Sequence, residues 1–279
     1  MNSVKLKIII FATILAILIG IITISIYTSK YMLQVVTYEV ESEKIENQIK
    51  IIQLTDLHQS VFGNNNQKLI QSVKSQNPDI ITMTGDMINS DTENFDMLIY
   101  LIKELNKIAP VYFSIGNHEI ENKYKDEIIK EVEDAGVIVL EESYKDININ
   151  NNNLRIGGVY DYIIPNMDKT KFTYKFSQEF DNTNNFKLLL SHIPDSYVLW
   201  GGFEMINPDL VLTGHYHGGL IRIPFIGGIF APEQGYFPKY DGGKYNIDGN
   251  DVIISRGLGT ASKIPRINNI PEVSLIILK

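Results

Sequence analysis

The chain is 279 residues long, contains no cysteine and carries a formal net charge of −8. Disulfides, thiolate metal sites and cysteine nucleophiles are thereby excluded, which leaves His, Asp, Glu and Asn as possible ligands. The acidic balance also argues against a nucleic-acid-binding surface, so phosphate chemistry here calls for metal ions rather than a groove of Lys and Arg.

The first element is an uncharged run, residues 8–27, made mostly of Ile, Leu, Ala and Phe. As a helix rising 1.5 Å per residue it reaches roughly 30 Å, the thickness of a bilayer core. Lys5 and Lys7 precede it, while Lys30 and then Glu39, Glu41 and Glu43 follow. That asymmetry predicts an inside N-terminus, with the body of a single-pass membrane protein outside the cytoplasm. A cleaved signal peptide is the competing reading, but its apolar core would be shorter and Ser25 to Ser29 make a poor cleavage site. The expected organisation is an anchor over 1–30, a juxtamembrane segment and edge strand over 31–48, and one catalytic domain over 49–279.

Within that domain, Lys50 to Leu54 reads as a buried strand that ends in Asp56-Leu-His58. Residues 66–76 carry Leu69, Ile70 and Val73 at helical spacing and stop at Asn77-Pro78. A second strand, Asp79 to Thr84, ends in Gly85-Asp86, and a helix with Phe95, Leu98, Ile99, Ile102 and Leu105 on one face follows. The third strand, from Pro110, ends in Gly116-Asn-His-Glu119. A helix over 123–135 then closes at Gly136. This alternation predicts a parallel sheet built by crossovers, with ligands bound beyond the carboxyl ends of its strands. Val137 to Leu140, a strand near Ile147 and Leu154 to Val159 read as hairpins of a second sheet, with the Asn-rich patches at 63–66 and 149–153 as turns. Phe186 to Ser191 and Pro208 to Thr213 are further strands, ending in His192 and in Gly214-His-Tyr-His-Gly-Gly219. Strands at 251–255 and 273–278 complete the body.

All five histidines fall in blocks at strand ends: Asp-x-His, Gly-Asn-His-Glu, Ser-His and Gly-His-x-His, with Gly-Asp completing the set. Any one block has an ordinary reading as a polar turn. An extended chain would send the two histidines of His-x-His to opposite faces, so a sharp glycine turn is required for both to reach one centre. Together, and in this order, the five blocks resemble the calcineurin-like metallophosphoesterase superfamily, from about Lys50 to the C-terminus. The anchor, the glycine-flanked histidines followed by Ile221-Arg-Ile-Pro-Phe225, and the tail from Gly257-Leu-Gly259 to Pro271-Glu-Val273 resemble its bacterial membrane-associated branch. Some members of that branch are UDP-2,3-diacylglucosamine pyrophosphatases.

The resemblance implies an α/β fold, a four-layer sandwich of two packed mixed β-sheets flanked by helices. It also implies two divalent metal ions: Asp56, His58 and His217 would hold one, Asn117, His192 and His215 the other, and Asp86 would bridge them. Mixed oxygen and imidazole ligands suit Mn, Fe or Zn, and a hydroxide held between two cations is a nucleophile at neutral pH. His118 would donate a proton to the leaving group, or else only orient Asp86. The expected activity is hydrolysis of a phosphodiester or pyrophosphate in an envelope substrate, which could be lipid-linked. Soluble nucleotides as substrates, or a non-catalytic metal-binding scaffold, are the competing readings. Thr55, Tyr216 and Leu220 depart from the family pattern without removing a ligand, which leaves substrate choice open. Two features stand outside the motif set. Residues 220–240 form an apolar loop that either approaches the membrane or an acyl chain, or packs over the second sheet. Asp161, Arg256 and Arg266 could read a substrate phosphate or sugar, with surface salt bridges as the alternative.

Overall fold

The computed structural model describes residues 3–159 and 172–279. The N-terminal run is a single helix, α1 (Ser3–Tyr31), and passes through Met32 and Leu33 into β1 (Gln34–Val40). Then come β2 (Ile49–Leu54), α2 (Gln67–Gln76), β3 (Ile80–Thr84), α3 (Asp96–Asn106), β4 (Val111–Ser114), α4 (Asn117–Glu121), α5 (Lys125–Asp134) and β5 (Ile138–Val139). The second half contributes β6 (Ser143–Ile149), β7 (Asn152–Val159), α6 (Phe172–Asp181), β8 (Phe186–Ser191), α7 (Asp195–Val198) and β9 (Leu210–Thr213). Four two-residue strands follow: β10 (Arg222–Ile223), β11 (Gly227–Gly228), β12 (Phe230–Ala231) and β13 (Gly235–Tyr236). The chain closes with β14 (Gly243–Ile247), β15 (Asn250–Ile254) and β16 (Glu272–Leu278).

Two mixed six-stranded sheets result, ordered β1-β16-β2-β3-β4-β5 and β14-β15-β9-β8-β7-β6. The parallel register β2-β3-β4 follows from the two crossover helices, as the alternation of strand and helix patterns predicts. One expectation is corrected: Ile138–Val139 pairs parallel with β4 at the edge of the first sheet and takes no part in the second. The hairpin β6-β7 is in the second sheet, its turn closed by Asn150 and Asn151 with φ of 50° and 64°. Left-handed backbone at both central residues is what a two-residue hairpin needs, and Asn tolerates it.

Three apolar layers set the order of the sandwich. Helices α2, α3 and α5 bury Leu69, Val73, Leu101, Ile102 and Ile128 against one face of the first sheet. Ile51, Ile80 and Ile276 meet Ile156, Leu188, Leu210 and Ile253 between the sheets. Phe176 and Phe180 of α6 cover Leu189 and Val211 on the outer face of the second sheet. Strands buried on both faces read as continuous apolar runs, which is why β2, β3, β8 and β9 are legible as blocks without alternation. Toward the carboxyl ends, polar groups join the two sheets: the Gln53 amide donates to Thr84 Oγ1 and to Thr213 O, both at 2.8 Å. There the apolar core gives way to the site.

Candidate active site

Five strands release their chains at this edge. β2 leads to Asp56 and His58, β3 to Asp86, β4 to Asn117 and His118, β8 to His192, and β9 to His215 and His217. The backbone that lets alternate residues converge is left-handed at the functional residues themselves: φ is 53° at Asp56, 46° at His58, 54° at Asp86, 71° at His215 and 49° at His217. Asp, Asn and His are the non-glycine residues that populate this region most readily. The expected glycine turn is present at Gly218 and Gly219, but the histidines supply the first bends. Glycine is obligatory elsewhere. At Gly85, φ is +83°, and a Cβ there would lie 2.6 Å from the Gly116 backbone and 2.8 Å from His192 Nδ1.

The side chains form three overlapping groups whose ligand atoms lie within 4.8 Å of one another: Asp56, His58 and His217; Asp86, His192 and His215; and His58, Asp86 and His118. Asp86 Oδ2 sits among them, 3.1 Å from His192 Nε2, 3.7 Å from His58 Nε2 and 4.0 Å from His118 Nε2. Asp56 Oδ1 lies 3.7 Å from His217 Nδ1. Among the described residues, His58 Nε2, His192 Nε2, His217 Nδ1 and Asn117 Oδ1 are buried without a hydrogen-bond partner. Buried polar atoms are normally satisfied, and four lone-pair donors left open around two buried carboxylates form the donor set of a divalent-cation site. The residues present therefore fit divalent metal.

Hydrogen bonds separate two kinds of histidine. His192 Nδ1 donates to the Thr84 carbonyl at 2.7 Å, and His58 Nδ1 lies 3.0 Å from Asn89 Oδ1. Each bond places the proton on Nδ1 and turns an Nε2 lone pair toward the carboxylates, the usual arrangement of a metal-ligating imidazole. His118 is the reverse. Its Nδ1 accepts the Ser90 backbone N–H at 3.1 Å, so the neutral ring carries its proton on Nε2.

Burial sets the electrostatics. It pulls His58 down to about 4, and, with the nearby His192, takes His215 to about 3; His217 is likewise held well below the usual range. These imidazoles are neutral at pH 7, as ligation requires. Burial raises Asp56 to about 6. It acts to raise Asp86 as well, but the imidazoles of His192, His58 and His118 outweigh it and hold that carboxyl well below its ordinary range. For His192 the Asp86 and Asp56 carboxylates outweigh burial and raise the imidazole to about 10, so with no cation bound Nε2 carries a proton toward Asp86, and that proton must leave before the lone pair can ligate.

Sequence reasoning gives Glu119 no role, yet it organises the site. Fully buried, it accepts the backbone N–H groups of Asp86 at 2.8 Å, Met87 at 2.7 Å, Ile88 at 3.2 Å and Gly116 at 2.7 Å. Burial and the Asp86 charge raise its pKa to about 7, opposed by the Gly116 and Asp86 amides. Its one legible signal is a carboxylate closing the Gly-Asn-His-Glu block. Tyr216 is buried on the far side of its turn, donating to Asp195 Oδ1 at 2.8 Å. Arg256 and Arg266 depart from the surface-salt-bridge reading. Arg256 pairs with the buried Glu272 at 2.7 Å, and Arg266 is buried with Nε and Nη2 donating to the Gly259 carbonyl. Both fasten the loop beside Asp56 and are not surface salt bridges. Asp161 lies outside the described residues.

The sequence profile of the calcineurin-like phosphoesterases matches residues 49–219, from β2 through the paired histidines. The chain belongs to the calcineurin-like phosphoesterase family. This phosphoesterase is 30% identical to an uncharacterized metallophosphoesterase of Aquifex aeolicus over 89% of its own length and 93% of the relative's. It is 27% identical to the Bacillus subtilis metallophosphoesterase YkuE, covering 91% of this chain and 88% of that one, and 29% identical to the Escherichia coli phosphodiesterase YaeI, covering 82% of each. The fold is shared with TT1561 of Thermus thermophilus at a TM-score of 0.50, with 11% identity, over 75% of this phosphoesterase and 89% of that chain. A metal-dependent phosphohydrolase is the activity that follows.

Proposed function

We propose that the chain is a membrane-anchored phosphodiesterase or pyrophosphatase with two metal ions, acting on an envelope substrate that carries a lipid. The observation that supports it most is the convergence of open lone pairs on two buried carboxylates. Asp56, His58 and His217 would hold one ion, Asn117, His192 and His215 the second, with Asp86 between the two groups. Asn117 belongs in the set because its Oδ1 is buried and unpartnered among the described residues. Two cations of the Mn, Fe or Zn class, if bound there, would supply neutralisation of phosphoryl charge and a water of lowered pKa. His118 keeps its Nε2 proton, held there by the Ser90 amide, and donates it to the departing oxygen. A diester or pyrophosphate leaving group needs that proton as its bond to phosphorus breaks. Glu119 and Gly85 fix the approach of the β3 and β4 loops, which sets the distance between the two ligand groups.

Support for the anchor comes from α1, in which residues 4–31 form a helix long and apolar enough to cross a membrane, with its apolar window unburied. Helical hydrocarbon surface of this extent, left uncovered by the protein, matches the thickness of a bilayer. On this reading the domain over 49–279 lies outside the cytoplasm. The test is turnover by the full chain in detergent, stripped with chelator and reloaded with Mn, Fe or Zn. Bis-p-nitrophenyl phosphate should be cleaved faster than p-nitrophenyl phosphate, and Asp86→Asn should abolish both. Monoester turnover that exceeds diester turnover with every metal would overturn the diesterase assignment.

A further inference from the structure

Residues 220–240 neither disappear into the core nor float free. Their short pairs β10-β11 and β12-β13 bury Ala231, and Tyr240 after them, against the second sheet, yet leave large apolar side chains in the open. Phe225 is fully exposed, Ile226 is 63% exposed, Tyr236 76% and Phe237 61%. An exposed cluster of this size in one short segment marks a surface that something apolar covers.

Its neighbour identifies the cover. The Arg222 carbonyl accepts from Asn268 Nδ2 at 3.1 Å, and the Asn268 backbone N–H donates at 2.5 Å to Ser25 Oγ of α1. Next to it, the Asn269 N–H donates at 3.0 Å to Ser29 Oγ, which is buried. Asn268 and the hairpin tip at Phe225 and Ile226 line one open depression of about 420 Å³. Ser25 lies six residues before the end of α1, roughly 9 Å along the axis. A bilayer that receives residues 8–27 therefore brings its headgroup layer to the level of Asn268, and with it the base of the hairpins. Charge agrees. In a chain of net charge −8, segments 220–240 and 258–270 together contain a single acid, Glu233, while Lys239 and Lys263, with Lys30 at the end of α1, are exposed.

We propose that the paired hairpins are a second membrane contact, in which Phe225, Ile226, Tyr236 and Phe237 enter the boundary between headgroups and acyl chains beside α1 while Lys30, Lys239 and Lys263 meet anionic headgroups. Apolar side chains backed by cations bind such surfaces to a depth of about 5–10 Å. The consequence reaches the site. Arg222 Nη1 donates to Gly218 O at 2.9 Å and Asn269 Nδ2 donates to His217 O at 2.7 Å, so the turn bearing His217 is tied both to the hairpins and, through Asn269, to α1. The site is thereby held against the bilayer, within reach of phosphoesters in lipid headgroups. This inference rests on α1 as a bilayer span.

The absence of cysteine allows single labels in the full chain. Variants Phe225→Cys, Tyr236→Cys, Ile17→Cys and Asn184→Cys would each carry an environment-sensitive fluorophore, in vesicles of phosphatidylcholine and phosphatidylglycerol with or without lipid spin-labelled near the headgroup. Asn184 precedes β8 at the end opposite His192 and serves as the reference. Labels at 225 and 236 should lose emission to the quencher, because groups inserted about 5–10 Å deep sit at the level of the spin label, while that at 184 keeps its own. Labels at 225 and 236 that behave like 184, with the label at 17 quenched or blue-shifted, would overturn the hairpin contact and leave the anchor standing. If the label at 17 also stays as in water, the anchor reading falls and the proposal falls with it.

Discussion

The sharpest distinction at the residue scale is between histidines whose Nδ1 donates and the one whose Nδ1 accepts. His192 Nδ1 donates a hydrogen bond to a carbonyl and His118 Nδ1 accepts one from an amide, a difference of direction that suits one to the proposed role of ligand and the other to that of acid. His118→Gln should lower diester turnover by about 10²–10⁴-fold, the usual worth of a general acid, while metal content stays at the wild-type level. Equal loss of metal and activity would make it a ligand instead. Asp195 offers a pH-dependent test away from the ligand atoms. Burial raises its pKa from 3.8 to about 6, opposed by the hydroxyl of Tyr216. Its folded pKa exceeds the unfolded one, so ionisation disfavours the fold: stability is highest below about 4 for this group and declines as pH rises through 6. Compared with wild type, Asp195→Asn should gain relative stability between pH 4 and pH 6 in denaturant titrations; parallel curves would contradict this. The strand-end histidines are legible in the sequence because each block follows an apolar run. Glu119 is not, because what it binds is backbone amide from another loop, and amides leave no mark on composition.

At the scale of elements, Glu119 welds the end of β3 to the end of β4 by gathering four N–H donors on one carboxylate. Glu119→Gln would turn an NH₂ group toward those donors and leave some unsatisfied in a dry site. We expect a loss of about 3 kcal/mol in chemical denaturation, the scale of a lost charge-assisted hydrogen bond with its desolvation penalty. A change within 0.5 kcal/mol, about the effect of an ordinary surface substitution, would show that the carboxylate is not what holds the loops together. Helices and buried strands are readable because their periods are local. Membership of a sheet is not: Ile138–Val139 has the same apolar character as the second-sheet strands, and only its pairing with β4 places it in the first. The pairs β10-β11 and β12-β13 are hidden for another reason, since two-residue strands, three of their eight residues Gly, show no alternation to read.

For the molecule as a whole, two sheets meet at one polar edge, and the C-terminal strand β16 lies between β1, which continues from α1, and β2, which leads to Asp56. Anchor and the half of the site that carries Asp56, Asp86 and Asn117 therefore share one sheet, while His192, His215 and His217 come from the other. A ligand that binds only the folded form stabilises it by mass action, about 2.7 kcal/mol at a hundredfold excess over Kd. At roughly 2–4 °C per kcal/mol for a chain of this size, removal of metal by chelator should lower the Tm by about 5–10 °C, and readdition should restore it. An unchanged Tm would mean that the donor set binds no metal tightly. The most direct measurement is metal content per chain in wild type and in Asp86→Ala, each loaded with Mn and assayed on a diester in the same preparation. Wild type should hold two ions and show metal-dependent turnover, and the variant one ion or fewer and no turnover. Full turnover by a wild-type chain that holds a single ion, or an Asp86→Ala variant that keeps both ions and its activity, would contradict it.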